Sequence, residues 1–224
     1  MMPAQPALRQ RSRILALAAA VPLAVAVADD LRVRRHLQAA RRDPLTGLPG
    51  RDTLATRTAA LARGHRRLLH VLVADADRLK TVNDTLGHAA GDTLIAAIGH
   101  RLGTWAHARG GLAARLGGDE FALAVLLEPD ATLREVTALH QLLAQPVDHD
   151  GHRLTPAVSI GTARATDLPA AADAARLLRG ADMAMYRVKT GEQLPGYVAT
   201  RNDAYTPTVR GRRPGRPGTH LPLA

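Results

Sequence analysis

The chain has 224 residues, of which 46% are hydrophobic and 22% are charged, which is enough for one domain with extensions. It contains no cysteine, which excludes disulfide bonds and thiolate metal sites. The net charge is +10, but residues 1–42 carry +6 of it and residues 194–224 carry +4. Residues 43–193 hold 17 basic and 17 acidic residues, so we expect no specific nucleic-acid partner for that neutral part.

The N-terminal segment combines a basic start with an apolar run. Residues 1–13 form a basic N-terminus, and residues 14–28 are uninterrupted apolar residues with Pro22 inside. This pattern is typical of a membrane anchor, although a spanning helix normally needs about 17–25 apolar residues. A secretory signal ending at Ala26-Val27-Ala28 and a buried core helix are the alternatives. We expect an anchor in the cell membrane with the domain facing the cytoplasm, and a cytoplasmic protein is the alternative.

Residues 29–42 are predicted to form a helical linker, which ends at Asp43 because the residue before a proline disfavours the helical region. Helical and extended patterns then alternate as far as residue 193, which favours a layered α/β or α+β domain. Residues 194–224 hold five prolines and four glycines, so we expect a disordered basic tail there. The predicted helices are 53–62, 92–106, 133–144 and 170–189, and the predicted strands are 68–73, 121–127 and 157–163.

Two glycines precede two adjacent carboxylates at Gly117-Gly118-Asp119-Glu120, and an apolar run follows. Glycine permits the backbone conformations of a tight bend, so this segment predicts a hairpin with acids at its turn. Acids on a rigid hairpin suit divalent metal and phosphate chemistry, but an ordinary surface turn has the same composition. The bend alone leaves both interpretations open.

A second group of polar residues follows the strand predicted at 68–73. Asp75-Ala76-Asp77 comes directly after that strand, which would hold a carboxylate rigidly at its end. Taken singly, Asn83-Asp84 is compatible with a turn, and Asp92 with the N-cap of the next helix. Together, these acids and amides surround short glycine-containing turns, which favours a functional site.

These segments, in this order, resemble the GGDEF family of diguanylate cyclases over about residues 43–191. The resemblance implies an α+β fold related to nucleotide cyclases and polymerase palms (ferredoxin-like). In that fold helices wrap a central, mostly antiparallel sheet, here preceded by the apolar N-terminal helix. The GGDEF domain would occupy residues 43–193. The matching segments are Asp43-Pro-Leu-Thr-Gly-Leu-Pro-Gly-Arg51, Asp75-Ala-Asp-Arg-Leu-Lys-Thr-Val-Asn-Asp84, Gly87-His88, Gly91-Asp92, the signature Arg115-Leu-Gly-Gly-Asp-Glu-Phe121, Val158-Ser-Ile-Gly161 and Ala181-Asp-Met-Ala-Met-Tyr-Arg-Val-Lys189.

The resemblance also implies an activity. Two GTP molecules would condense to cyclic di-GMP and two pyrophosphates in a homodimer, with one GTP on each chain. Mg²⁺, or Mn²⁺, would be held by Asp75, Asp119 and the Ala76 carbonyl. Asp119 or Glu120 would help to deprotonate the attacking 3′-hydroxyl group.

The same resemblance implies how each GTP is held. Asn83 and Asp92 would contact the guanine edge, since an amide can donate and accept and an ionised carboxylate accepts from base N–H groups. The phosphates would be held by Lys80, Lys189 and the backbone N–H groups of Arg78 and Leu79.

Two departures from the family pattern bear on function. Ala108 and Gly111 stand where an Arg-x-x-Asp pair usually forms the inhibitory product site, so we expect no feedback inhibition there. The arginine that usually follows Lys189 is missing. Its loss could weaken GTP binding unless Arg187 substitutes for it. The alternative function is therefore a catalytically weakened module that binds GTP or another protein and acts in regulation.

Overall fold

The computed structural model describes residues 42–169 and 173–205. From Asp43 onward these residues belong to one compact unit. Within them, the strands are β1 (Leu69–Ala76), β2 (Leu112–Gly117), β3 (Glu120–Leu126), β4 (Val147–His149), β5 (His152–Leu154) and β6 (Val158–Arg164). The helices are α1 (Arg51–His65), α2 (Leu79–Leu86), α3 (His88–His107), α4 (Thr132–Leu143), α5 (Ala174–Lys189) and α6 (Arg201–Tyr205), with 3₁₀ turns at Pro129–Ala131 and Ala165–Asp167.

Four strands form an antiparallel sheet in the order β2-β3-β1-β6, and β4 pairs with β5 in a separate hairpin. All eight residues of β1 are buried, because helices cover both faces of the sheet. Side chains of a strand alternate between its faces. Leu72 therefore packs with residues of α3 and α4, whereas Val71 packs with residues of α1 and α5. The sheet is held rigidly from both sides, so the ends of its strands are well-fixed positions.

The structure confirms the predicted α+β class and the antiparallel sheet wrapped by helices. The apolar helix predicted at 14–28 lies outside the described residues. Helix α3 begins at His88 with Gly87 as its N-cap, so Asp92 lies inside the helix and does not cap it. Helix α2 and the β4–β5 hairpin were not predicted.

The C-terminal segment corrects the prediction that a disordered tail begins at residue 194. The Ala199 N–H donates to the Thr162 carbonyl oxygen at 2.6 Å, and Val198 pairs with Thr162 in a parallel bridge at the edge of β6. Asp203 is fully buried and accepts hydrogen bonds from Tyr197 Oη at 3.0 Å and from the Thr200 N–H at 2.7 Å. Residues 194–205 are therefore part of the folded domain, and residues 206–224 lie outside the described residues.

The prediction of a membrane-anchored protein is contradicted. Across residues 42–169 and 173–205, no helix has the length and hydropathy needed to cross a bilayer. The apolar run on which that prediction rested lies outside this part of the chain.

Candidate active site

The carboxylates predicted from the sequence meet where β1 and β3 lie side by side. Asp75 stands opposite Glu120 in the antiparallel register, and the Ala76 N–H donates to the Asp119 carbonyl oxygen at 3.0 Å. Asp75 is only 2% exposed, whereas Asp119 and Glu120 are partly buried. The structure thus brings these four residues to one end of the sheet.

The bend that carries Asp119 depends on its two glycines. Gly117 and Gly118 have φ angles of 149° and 50°, which residues with side chains rarely adopt. The Arg115 guanidinium stabilises the bend, because its Nε and Nη2 donate hydrogen bonds to the Gly118 carbonyl oxygen at 3.0 and 2.7 Å. Its Nη1 also donates to both carboxylate oxygens of Asp43, at 3.0 and 2.9 Å. The first segment of the domain therefore anchors the acidic bend.

Asp43 is itself held by a tight local turn. Its Oδ1 accepts from the Thr46 N–H at 2.8 Å and from the Thr46 hydroxyl at 2.7 Å. Burial raises the pKa of Asp43, but the hydrogen bonds from Thr46 and Arg115 outweigh burial and keep the pKa below the ordinary 3.8. The stability that Asp43 contributes is present above that pH and is lost as the pH falls through the lower folded-state pKa.

Lys189, the last residue of α5, places its ammonium group among these carboxylates. Its Nζ donates to Asp75 Oδ1 and lies 3.5 Å from Asp77 Oδ1. Burial lowers the pKa of Lys189, but the hydrogen bond to Asp75 and the charges of Asp75, Asp77 and Asp119 outweigh it, so the pKa lies above the ordinary 10.5. The lysine is a cation at neutral pH, and we call Asp75, Asp77, Asp119, Glu120 and Lys189 the sheet-end cluster.

The position of α5, and with it that of Lys189, is set by a close contact with β6. A Cβ added at Gly161 would lie 1.9 Å from the Met185 backbone nitrogen and 2.3 Å from the Ala181 carbonyl oxygen. Only glycine allows this approach, because both colliding atoms belong to the helix backbone. Lys189 follows Met185 by about one turn of the helix.

The two residues predicted to contact guanine lie on the packed helices α2 and α3. The Asn83 amide oxygen is buried and has no hydrogen-bond partner within the described part of the chain. Gly91 makes room for it, because a Cβ there would lie 1.9 Å from that oxygen. Asp92, the next residue, is exposed. A buried amide without a partner is costly unless something else bonds it, so this position suits a polar ligand.

Three of the residues predicted to bind phosphate, Arg78, Leu79 and Lys80, lie at the start of α2, whereas the fourth, Lys189, ends α5. Arg78 precedes the helix in a left-handed conformation with φ of 58°, and Arg78 and Lys80 are exposed. The Leu79 side chain packs against the core, which leaves its backbone for other contacts. The first N–H groups of a helix have no partners within the helix, and such groups suit an anion.

Two arginines near the departures from the family pattern have partners within the described part of the chain. Arg187 does not lie free to replace the missing arginine, because its Nη2 is 3.0 Å from Asp203 Oδ1. Arg109, beside the altered inhibitory site, donates to Glu135 Oε2 at 2.6 and 3.0 Å and stacks 3.9 Å from the Trp105 ring centroid. Both guanidinium groups therefore have partners within the fold.

Asp77 and Ser159 were not predicted from the sequence as site residues. The Ser159 hydroxyl donates to Asp77 Oδ2 at 2.8 Å, and Asp77 is also a neighbour of Lys189. A local signal for Asp77 exists, since it follows Asp75 at the two-residue spacing of a strand face. The contribution of Ser159 depends on strand pairing and has no local signal.

The donor set at the sheet end suits one kind of metal ion. No group of three or more His, Asp or Glu side chains that could hold a metal is found in residues 42–169 and 173–205. Asp75, Asp119 and the Ala76 carbonyl supply two carboxylates and one backbone oxygen. Mg²⁺ is usually bound through one or two carboxylates, with substrate phosphates and water completing its shell. The residues present therefore fit a magnesium ion that arrives with a phosphate ligand.

The fold and the site define an α+β domain whose central sheet ends in an acidic hairpin beside a helix-borne lysine. The family described as "Diguanylate cyclase, GGDEF domain" matches residues 40–193 of this chain. The chain therefore belongs to the GGDEF family of diguanylate cyclases, which confirms the resemblance noted in the sequence.

Individual relatives agree with this assignment. An uncharacterized 19.3 kDa protein of Streptomyces ambofaciens is 45% identical over 157 residues, which cover 69% of this chain and 81% of that protein. Diguanylate cyclase TpbB of Pseudomonas aeruginosa is 39% identical over 175 residues, which cover 73% of this chain but 38% of TpbB. A solved structure comprising only the GGDEF domain of TpbB matches with a TM-score of 0.63 at 39% identity, over 73% of this chain and 97% of that one.

Proposed function

We propose that this protein is a diguanylate cyclase that condenses two GTP molecules into cyclic di-GMP and two pyrophosphates. The observation that carries the proposal is the sheet-end cluster, in which Asp75 from β1 lies beside the Asp119-Glu120 bend with Lys189 bonded to Asp75. This arrangement occurs in a chain of the diguanylate cyclase family.

Asp75, Asp119 and the Ala76 carbonyl would hold Mg²⁺ or Mn²⁺ together with the triphosphate. When bound, that ion would lower the pKa of the attacking 3′-hydroxyl group and offset the negative charge on the α-phosphate. Asp75 is suited to this role because it is buried at the end of a central strand, where its position varies little.

The rest of GTP would lie along α2 and α3. Asn83 would offer the guanine edge its amide group, whose oxygen has no partner among the described residues, and Asp92 would accept from the base N–H groups. The N–H groups of Arg78 and Leu79 would donate to phosphate oxygens, and Lys80 and Lys189 would add positive charge.

The chemical step needs a base and two chains. Asp119 or Glu120 would accept the proton of the 3′-hydroxyl group of the facing nucleotide. The 3′-oxygen would then bond to the α-phosphorus while the bond to pyrophosphate breaks. Two such steps close the ring, so each chain of a homodimer contributes one GTP and one site.

A second function is favoured by one specific observation. The arginine usually found after Lys189 is missing, and Arg187 is paired with the buried Asp203. Fewer positive groups near the phosphates would lower the rate and support the alternative of a weakened GTP-binding or protein-interaction module.

One assay separates the two functions. Purified protein, shown to be dimeric by light scattering, is incubated with GTP and Mg²⁺, and nucleotides are resolved by chromatography. We expect cyclic di-GMP and pyrophosphate in a 1:2 ratio, with a specific activity that rises as dimer forms. GTP binding without product in a dimeric preparation would reject the cyclase and support the alternative.

A further inference from the structure

Asp77 is fixed in place by groups that have no part in the proposed chemistry. Its backbone N–H donates to the Ala157 carbonyl oxygen at 2.8 Å, which continues the pairing with the β6 side by one residue beyond β1. Its Oδ2 accepts from the Ser159 hydroxyl at 2.8 Å, and Ser159 is 8% exposed. Both the main chain and the side chain of Asp77 are therefore held by the segment around β6.

The other oxygen of the same carboxylate faces the lysine. Asp77 Oδ1 lies 3.5 Å from Lys189 Nζ, which also bonds Asp75. The Lys189 side chain is 37% exposed, and a lysine stem has several freely rotating bonds. Contact with a single carboxylate fixes such a group poorly, whereas two carboxylates on either side define one position for the ammonium group.

Asp75 and Asp77 are not equivalent in this arrangement. Asp75 is also a proposed ligand of the metal ion, whereas Asp77 has no role in the proposed reaction. Asp77 also has its own support in Ser159, so its orientation does not depend on Asp75. The carboxylate that can hold Lys189 throughout a reaction is therefore Asp77.

We propose that Asp77, oriented by Ser159, is a positioning residue that holds the Lys189 ammonium group where it meets the phosphates of GTP. The inference rests on the proposed function, because Lys189 must bind phosphate for its position to matter. Ser159, a buried strand residue, would then affect substrate binding through two contacts, its hydrogen bond to Asp77 and the ion pair of Asp77 with Lys189.

The test is a double-mutant cycle on the full chain, read as the affinity for a non-hydrolysable GTP analogue in the presence of Mg²⁺. We expect Asp77→Asn to weaken binding by about fivefold, as for the loss of one partner of a partly exposed ion pair. Ser159→Ala should weaken it by about threefold, and Ser159→Thr, which keeps the hydroxyl group, should restore it. In a Lys189→Met background, Asp77→Asn should have less than about a twofold effect, because the residue it acts through is gone.

A matched control separates positioning from simple destabilisation. Thr162→Val removes another buried hydroxyl group from β6, where that group has no hydrogen-bond partner among the described residues. This variant should leave analogue affinity unchanged. An equal loss for Asp77→Asn with and without Lys189, or no loss in either background, would overturn the inference.

The outcome remains distinct from that of the proposed function. A protein that binds the analogue but forms no cyclic di-GMP from GTP would reject the cyclase activity. The double-mutant cycle could still be measured in that protein. Failure of the unmodified protein to bind the analogue at all would overturn the positioning role as well.

Discussion

Gly91 and Gly111 each lie where an added methyl group would collide with a neighbour, but the two collisions have different consequences. At Gly91 the colliding group is the far end of the flexible Asn83 side chain. At Gly111 it is backbone, with the Ala124 carbonyl oxygen at 2.2 Å and the Val125 Cα at 2.8 Å. The first site can adjust by moving Asn83, whereas the second can adjust only by moving β3.

Gly91→Ala should therefore impair GTP binding more than folding. The methyl group displaces the Asn83 amide from its buried position, and we expect roughly tenfold weaker GTP binding, as for one lost hydrogen-bond pair with the base. Stability should change little, because alanine favours the helix. Isothermal titration with GTP measures the effect, and Gly64→Ala, which meets nothing within 4 Å on α1, is the control. Unchanged affinity in Gly91→Ala would argue against a guanine site at Asn83.

The altered inhibitory site should be inactive and difficult to restore. Cyclic di-GMP added to the unmodified protein should not inhibit GTP condensation non-competitively, since Ala108 and Gly111 lack the required charges. Introducing Gly111→Asp with Ala108→Arg should lower the free energy of unfolding by about 1–3 kcal/mol through overpacking against β3. Chemical denaturation measures this, with the exposed Ala108→Arg alone as control. Tight non-competitive inhibition of GTP condensation by the unmodified protein would contradict the expectation.

At the scale of elements, the contact between α5 and β6 links packing to the site. Gly161 lets the helix backbone approach the strand, and the same helix ends at Lys189 in the sheet-end cluster. Asp77 accepts a hydrogen bond from Ser159, which lies on β6 as Gly161 does. A shift of α5 away from β6 would therefore separate Lys189 from both of its carboxylates.

Gly161→Ala should damage stability and activity together. We expect a loss of about 1–3 kcal/mol in the free energy of unfolding, because two backbone atoms of α5 must move. At a temperature where the variant remains folded, its cyclase activity per folded molecule should be lower than that of the unmodified protein. Gly180→Ala, whose nearest neighbours would lie at 3.4–3.6 Å, is the matched control. Retained activity in a stable Gly161→Ala protein would contradict the proposed link.

His70 gives a second element-scale prediction, at the other end of β1. It is fully buried, with Nδ1 2.8 Å from the Leu68 carbonyl oxygen and Nε2 2.8 Å from the Thr132 hydroxyl group at the start of α4. Burial lowers the pKa of His70 below the ordinary 6.5, with a smaller contribution from Arg164, and these outweigh the opposing effects of the Leu68 hydrogen bond and Asp167.

The folded state therefore binds protons less readily than the unfolded chain, and the free energy of unfolding should fall as the pH drops below about 6.5. Denaturant titrations at pH 7.5 and pH 5.5 measure this. His70→Gln should show a smaller difference between the two values, while the exposed His65→Gln should behave like the unmodified protein. An equal pH dependence in all three proteins would assign the effect to other groups.

The sequence was informative where a pattern is local. The repeat of Leu94, Ile98 and Leu102 predicted most of α3, and the acidic bend was recognised from its two glycines. Helix α2 was missed because it spans only eight residues and its Asn83-Asp84 pair was interpreted as a turn, although Leu79, Val82 and Leu86 follow helical spacing. The ordering of residues 194–205 was missed because it depends on pairing with β6 and on burial of Asp203, which are contacts between distant parts of the chain.

At the scale of the whole molecule, the sheet gathers the site from segments far apart in sequence. Asp75 is the penultimate residue of β1, Asp119 lies in the β2–β3 bend, Ser159 lies on β6 and Lys189 ends α5. Strand pairing and helix packing set their distances, which is why the separate motifs could be recognised but their contacts could not. The central proposal is that the sheet-end cluster is the centre of GTP condensation.

The most direct test is the rate of cyclic di-GMP formation by Asp119→Ala and Glu120→Ala, compared with Asp130→Ala on an exposed 3₁₀ turn. Acids at a bend contribute little to stability, so all three variants should stay folded, with unfolding free energies within about 0.5 kcal/mol of the unmodified protein. We predict that the first two variants lose at least about 99% of the rate, as expected when a metal ligand or base is removed, and that the third keeps it. Folded, dimeric Asp119→Ala and Glu120→Ala proteins that make cyclic di-GMP at the unmodified rate would contradict the account.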